Sequence, residues 1–288
     1  GTWGYTAVIK AAPLINYHLQ GSGSPLVLLH GIAANWQCWQ PIIPALATRH
    51  DVIAIDLPGF GGSVDLGIAE PSLEHFGQSI LDLLDSLGID DFHVVGNSLG
   101  GAVASPLLGS GRVLSLHGVS AAGQTQGWYL ELTKAVLRGS YYGARAIGPI
   151  APALVKLRPL RFVFIGQMVG RPQRLTAAYT LELIKGCAIG SGFEATLAHA
   201  IPKDRGVPIP DYDGPAQMLW GTRDIVLPFS ALARFAEKWP GKRLEIVPMK
   251  GLGHVPMQDD PKLIADTILA LTGKVDAGAA IRSSTVSR

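Results

Sequence analysis

The stretch Gly96-Asn97-Ser98-Leu99-Gly100 is the most informative part of the sequence, because it places a serine between two glycines directly after the apolar run Phe92-His93-Val94-Val95. The run predicts a strand, and the residues after the second glycine predict a helix. A turn this sharp strains the serine backbone and brings neighbouring chain close, so the flanking positions favour residues without a Cβ. The Ser98 hydroxyl is then held out beyond the end of the strand. We call this turn the elbow.

The elbow pattern alone is weak evidence, because 35 of the 288 residues are glycine and such a match arises readily by chance. Three further groups support it, each at the end of an apolar run. His30-Gly31 begins a loop whose backbone can offer an N–H to an oxyanion. Asp224 follows a second apolar run, and His254 follows a third in a glycine-rich loop. Ser98, Asp224 and His254 therefore occur in the order nucleophile, acid, base.

Five ordered segments of the chain resemble landmarks of the α/β-hydrolase superfamily, in its group of lidded esterases, epoxide hydrolases and carbon–carbon hydrolases. The resemblance covers nearly the whole chain apart from its middle. It implies an α/β-hydrolase fold, with a mainly parallel eight-stranded sheet, helices on both faces and an inserted helical lid. The five segments are residues 30–31, 56–61, 96–101, 221–224 and 253–256.

The alternation of predicted strands and helices favours the same architecture. Two opening strands form an antiparallel edge, and further strands then alternate with helices. In such sheets ligands bind beyond the carboxyl ends of the strands, which is where all three candidate catalytic residues lie. The predicted strands of the first half are residues 6–10, 14–20, 26–30, 52–56, 92–95 and 113–119, with helices near 36–47 and 72–87.

The middle of the chain departs from this alternation. Residues 124–210 consist of helix-like segments separated by Gly and Pro, and they carry eleven Lys/Arg against four Asp/Glu. We predict that they form the helical lid, inserted between two parts of the α/β-hydrolase core, residues 1–123 and 211–273. Residues 274–288 are small and polar, which is typical of a tail.

The chemistry of these groups predicts acyl transfer. A serine hydroxyl is a poor nucleophile at neutral pH, and His254 can accept its proton and return it to the leaving group. Asp224 would hold the imidazole in the useful tautomer. The backbone N–H groups of Ile32 and Leu99 are the predicted oxyanion hole.

Other roles compete with these assignments. Asp224 could cap a helix N-terminus, where aspartate is favoured. The usual alternative position for the acid holds Ser120, which favours Asp224. Among the histidines after the elbow, His117 falls within a predicted strand and His199 within the predicted lid, so His254 remains as the base.

Four residues are predicted to line the substrate pocket: His30, Trp128, Val226 and Val255. His30 has a competing role as a structural histidine that anchors the oxyanion loop. Trp128, at the entry to the predicted lid, could equally be a core residue.

A serine at the elbow excludes relatives that attack with an aspartate, namely haloalkane dehalogenases and epoxide hydrolases. We therefore predict a serine hydrolase that cleaves carboxylic esters of a small to medium, mostly apolar substrate. Two alternatives remain open: a carbon–carbon bond hydrolase of ring-cleavage products, and a ligand receptor on a hydrolase scaffold. The substrate and the oligomeric state cannot be read from the sequence, because the lid determines specificity.

The predicted partners are a small-molecule substrate and no nucleic acid. No Cys/His/Asp/Glu cluster has metal-ligand spacing, and the glycines lack the setting of a dinucleotide site, so no cofactor is expected. Within the predicted lid, Lys156, Arg158 and Arg161 alternate with apolar residues. This segment is either a solvated face over the core or a contact for an anionic amphiphile or an acidic membrane surface.

Composition favours a cytoplasmic location. Cys38 and Cys187 match no metal spacing and are predicted to be free thiols. No apolar run reaches the roughly 18 residues that span a bilayer. The sequence begins at Gly1 without a leader-like segment, so we expect any native leader to be missing from it.

Overall fold

The computed structural model describes residues 15–201, 206–241 and 243–286. Within them lies one seven-stranded sheet with the order β1-β3-β2-β4-β5-β6-β7. β1 runs antiparallel to β3, and every other neighbouring pair is parallel, so the predicted, mainly parallel sheet is confirmed. The strands are β1 (Tyr17–Gly21), β2 (Ser24–Leu29), β3 (His50–Ile55), β4 (Phe92–Asn97), β5 (Val113–Val119), β6 (Ala216–Gly221) and β7 (Leu244–Met249).

The described residues hold seven strands where eight were predicted. The predicted strand at residues 6–10 lies outside the described part of the chain. The second predicted strand corresponds to β1, which begins three residues later than predicted and pairs with β3 from Tyr17 opposite Ile55.

Helices cover both faces of the sheet, and the central strands are therefore buried on both sides. One face packs on α2 (Leu73–Ser86) and α3 (Leu99–Leu108), which follows the elbow. The other face packs on a short 3₁₀ turn (Trp36–Trp39) and α1 (Ile43–Leu46). The predicted helix near 36–47 is thus two short pieces.

Among the described residues between β5 and β6 there are five α-helices, and we call residues 124–210 the insertion. Its helix α4 packs along α7, and an apolar cluster that includes Val155, Ile165, Tyr179 and Ile184 fills its interior. The insertion therefore has a core of its own. Its helices are α4 (Trp128–Ile147), α5 (Ala151–Leu154), α6 (Arg158–Ile165), α7 (Ala177–Ile189) and α8 (Phe193–His199).

The chain then forms α9 (Phe229–Lys238), α10 (Pro256–Asp259) and α11 (Pro261–Val286). The interpretation of residues 274–288 as a tail is wrong for 274–286, which continue α11. Asp276 explains this difference, because its carboxylate accepts hydrogen bonds from Ser24 at 2.7 Å and His93 at 3.0 Å and fastens the helix to the sheet. None of the described helices is long and apolar enough to cross a membrane.

Candidate active site

The elbow has the strained geometry that its sequence predicts. Ser98 sits between β4 and α3 with φ 52° and ψ −116°, a conformation that residues with a side chain rarely adopt. A Cβ at Gly96 would collide with the backbone of Gly100, and one at Gly100 would collide with the Leu29 carbonyl. The two glycines are therefore required for the chain to turn here.

Asp224 and His254 are joined by a hydrogen bond of 2.8 Å between Oδ2 and Nδ1. The other carboxylate oxygen accepts the backbone amides of Val226 and Leu227, both at 2.9 Å. The aspartate is thus held by three donors, and its side chain is fully buried. Since Nδ1 donates to Asp224, the ring keeps Nε2 free to accept a proton. Asp224 is not a helix N-cap, because α9 begins only at Phe229.

The loop that carries His254 is fastened from two sides. Asn97 in the elbow donates its side-chain amide to the carbonyls of Val119 and His254, each at 3.0 Å. The buried carboxylate of Asp259 accepts the amides of Gly253 and, in the insertion, Gly170, both at 2.7 Å. These contacts fix the imidazole relative to the elbow and tie the insertion to the same loop. Sequence reasoning missed both anchors.

Two cavities meet at Ser98. The larger, about 400 Å³, has Ser98, His254 and Val255 on its floor. The smaller, about 50 Å³, is lined by Ser98, Leu99 and Val226 among others. No described residue hydrogen-bonds the Ser98 hydroxyl or His254 Nε2, so both groups are available to a ligand. Over the larger cavity the insertion contributes Ser140, Tyr141 and Gln167 together with mainly apolar side chains, among them Val136, Leu137, Ile147, Val163, Ile165, Met168, Leu183, Ile184 and Cys187.

The predicted oxyanion donors lie beside these cavities. Ile32 lines both of them and Leu99 lines the smaller. Neither backbone amide is used in a hydrogen bond among the described residues. The nearby His30 donates from Nδ1 to the Gly31 carbonyl at 2.7 Å and accepts the Leu57 amide at Nε2. Burial lowers the pKa of His30, so the ring stays neutral and anchors the loop.

The structure brings two of the four predicted pocket residues to a cavity wall, Val255 in the larger and Val226 in the smaller. His30 lies behind the loop and lines neither. Trp128 is 76% exposed and packs against the Tyr129 ring instead of a cavity. The insertion residues that line the larger cavity were not predicted from the sequence, because no local sequence pattern distinguishes them from other apolar helix positions.

A second cluster of titratable groups lies at the opposite edge of the sheet. Potential ligand atoms of His50, His93 and Asp276 lie within 4.8 Å of one another. Sequence spacing missed this cluster because its members come from β3, β4 and α11. Burial lowers the pKa of His93. Its two ring nitrogens are already hydrogen-bonded, to Ser115 at 2.7 Å and to Asp276 at 3.0 Å.

Two of the three cations of the segment at residues 155–165 have local partners. The Arg161 guanidinium donates to the Leu175 and Lys156 carbonyls at 3.1 and 3.2 Å, and Arg158 donates to the Gln173 carbonyl at 3.3 Å. Three apolar side chains beside them are more than half exposed: Leu157, Phe162 and Val163.

The sequence matches the alpha/beta hydrolase family over residues 26–267, and the chain belongs to that family. It is 32% identical over 276 residues to an uncharacterized protein of Mycobacterium bovis, covering 88% of this chain and 76% of the relative. It is 45% identical over 87 residues to a pimeloyl-[acyl-carrier protein] methyl ester esterase of Aeromonas hydrophila, covering 30% of this chain and 33% of the relative. A solved membrane phospholipase A superposes with a TM-score of 0.71 at 26% identity, covering 91% and 83% of the two chains. The family, the methyl ester esterase and the phospholipase A support a hydrolase.

Proposed function

We propose that the protein is a serine hydrolase that cleaves carboxylic esters through an acyl-enzyme. The observation that carries the proposal is the joint placement of Ser98 and His254 on one cavity wall, with His254 oriented by its 2.8 Å hydrogen bond to Asp224. This arrangement supplies a nucleophile, a base and a group that orients the base.

The reaction runs in two halves. His254 Nε2 takes the Ser98 proton as Oγ attacks the ester carbonyl, and the negative oxygen that forms faces the amides of Ile32 and Leu99. Each such donor stabilises the transition state by about 3 kcal/mol. His254 then protonates the departing alcohol. In the second half, His254 takes a proton from a water molecule that attacks the acyl carbonyl, and it returns this proton to Ser98 Oγ as the acid leaves.

The larger cavity supports a small to medium, mostly apolar substrate. Its volume of about 400 Å³ falls within the usual range for small-molecule sites. Its roof consists mostly of aliphatic and sulfur-containing side chains of the insertion, together with Ser140, Tyr141 and Gln167, so we propose that the insertion acts as the lid over the substrate. The Aeromonas relative acts on a methyl ester, which supports ester cleavage as the reaction.

Hydrolysis of p-nitrophenyl esters by the wild type and by Ser98→Ala tests the proposal. We expect steady turnover by the wild type and a fall in kcat of at least about 10³-fold in the variant. Because the groups act as one unit, Ser98→Ala/His254→Ala should lose little more.

Three outcomes would contradict the proposal. Near-wild-type turnover by Ser98→Ala would show that Ser98 is not the nucleophile. Product release that stops at one equivalent would indicate a receptor. Turnover of ring-cleavage dienoates without turnover of esters would show that the protein cleaves a carbon–carbon bond and not an ester.

We propose in addition that Leu157, Phe162 and Val163 contact an anionic amphiphile or an acidic membrane surface. Their exposure supports this contact, and Val163 also lines the larger cavity, so a bound amphiphile would lie at its wall. Lys156, Arg158 and Arg161 would supply the attraction.

A further inference from the structure

The two cavities that meet at Ser98 differ about eightfold in volume, about 400 Å³ against about 50 Å³. The smaller can hold about one or two water-sized groups, since one water occupies about 30 Å³ in the liquid. It is bounded by well-buried side chains from separate elements, Leu130 of α4 and Thr196 and Leu197 of α8. An ester bound at Ser98 therefore meets a roomy side and a confined side.

The position of His254 decides which arm of the ester enters each cavity. The leaving oxygen takes its proton from His254, so the alcohol arm must begin beside the imidazole. His254 lines the larger cavity and is absent from the wall of the smaller one. Leu99, which follows the nucleophile and offers an oxyanion donor, lines the smaller. The acyl arm departs from the carbonyl away from the leaving oxygen.

We infer that the smaller cavity is the acyl subsite, and that the preferred substrates are acetyl or propionyl esters of longer apolar alcohols. This inference rests on the proposed ester hydrolysis. It goes beyond that proposal because it assigns the two arms of the ester to opposite sides of Ser98.

The walls of the smaller cavity fit a neutral acyl group. They are mostly aliphatic, with Leu130, Leu197 and Leu227 among them. Lys134 also lines this cavity, but its ammonium nitrogen lies 3.5 Å from the Glu131 carboxylate. Glu131 thus provides a negative charge for the Lys134 ammonium. We therefore expect the subsite to bind an uncharged acyl group.

Two isomeric esters test the assignment on the wild-type protein. Octyl acetate and ethyl octanoate have the same formula and differ in which arm is long. We expect kcat/KM for octyl acetate to be at least about tenfold higher, since mismatched methylenes in a hydrophobic pocket cost this much or more. Equal rates, or faster cleavage of ethyl octanoate, would overturn the inference and leave ester hydrolysis standing. Cleavage of neither ester, nor of p-nitrophenyl acetate, would overturn both.

A pair of variants locates the effect in the smaller cavity. Leu130→Ala enlarges that cavity, and Ile184→Ala enlarges the larger one as a matched control. We expect Leu130→Ala to raise the rate on octyl butyrate relative to octyl acetate by about tenfold, while Ile184→Ala leaves this ratio unchanged. Melting curves verify folding, and Leu197→Ala replaces Leu130→Ala if the latter does not fold. The same ratio in all folded variants would refute the acyl subsite.

Discussion

Two histidine–aspartate pairs lie at opposite edges of the same sheet, with hydrogen bonds of nearly equal length, through Nδ1 in His254 and Nε2 in His93. His254 and Asp224 hydrogen-bond at 2.8 Å at the carboxyl edge, and His93 and Asp276 at 3.0 Å at the amino edge. Of the two histidines, only His254 lines a cavity with Ser98. The difference lies at the second ring nitrogen, which no described residue occupies in His254 and which Ser115 occupies in His93.

The amino-edge pair belongs to a closed chain of hydrogen bonds. The Gln217 amide donates to His117 Nδ1 at 2.6 Å, and His117 Nε2 donates to Ser115 at 2.9 Å. The Ser115 hydroxyl donates to His93, which donates to Asp276. The imidazole rings of His93 and His117 are both neutral in this arrangement, since each donates from one nitrogen and accepts at the other. The pair that we propose as catalytic therefore differs from the amino-edge pair in its free ring nitrogen and in the open space beside that nitrogen.

The largest expected effect separates the two pairs by activity. We expect Asp224→Asn to lower kcat by about 10³-fold or more, because the imidazole loses the partner that holds its tautomer. The matched variant Asp276→Asn should retain wild-type kcat and lower the melting temperature, since it weakens the anchor of α11. Esterase rates and melting curves of both variants measure this. Equal losses of kcat would break the distinction.

The next effect concerns stability at acid pH. Burial lowers the pKa of His93, and that of His117 well below its usual value. Their ordinary pKa is about 6.5, so below this pH the unfolded chain binds protons that the folded protein does not. These histidines therefore contribute stability fully above about pH 6.5, and it is lost as the pH falls through their lowered folded-state values.

Urea unfolding near pH 8 and near pH 5.5 measures this dependence. We expect His117→Gln to cost about 1 to 3 kcal/mol at the higher pH through the lost hydrogen bonds. It should also lose less stability than the wild type on acidification. His199→Gln, at an exposed position of α8, should behave as the wild type does. If His117→Gln loses as much unfolding free energy as the wild type between about pH 8 and about pH 5.5, these histidines do not control the pH dependence of stability.

A smaller effect is expected on the insertion, which roofs the carboxyl edge. Wild-type protein should bind anionic vesicles at low ionic strength, and Lys156→Ala/Arg158→Ala/Arg161→Ala should bind more weakly by about 1 kcal/mol per cation. Salt should reduce the difference by screening. Leu157→Ser/Phe162→Ser tests the apolar part. Sedimentation with vesicles measures binding. Equal and salt-independent binding of all variants would show that the three cations are solvated and do not contact the membrane.

The smallest expected effect is that of chelation. We expect esterase activity and melting temperature to change little in EDTA, by less than about twofold in rate, because the proposed mechanism uses no metal. Loss of thermal stability that Zn²⁺ restores would show that His50, His93 and Asp276 hold an ion. The amino edge would then be a metal site instead of a hydrogen-bond network.

Features that depend on local backbone geometry could be predicted from the amino-acid sequence. Gly96 and Gly100 flank Ser98 because the turn leaves no room for a Cβ. A short sequence motif is enough to reveal such a constraint. Strand alternation predicted a parallel sheet, whose geometry places the carboxyl ends of its strands at one edge. The positions of Asp224 and His254 followed from that rule.

Which distant side chains meet depends on long-range packing and could not be predicted from the sequence. Asn97 and Asp259 fasten the His254 loop, and Ile184 of the insertion lines the same cavity as Ser98, through contacts between segments far apart in the chain. Asp276 becomes part of a buried network because α11 packs against the amino edge of the sheet. Apolar and polar residue types alone do not distinguish a cavity wall from a core, or a reactive imidazole from a structural one. Those distinctions depend on the space and partners that long-range packing provides.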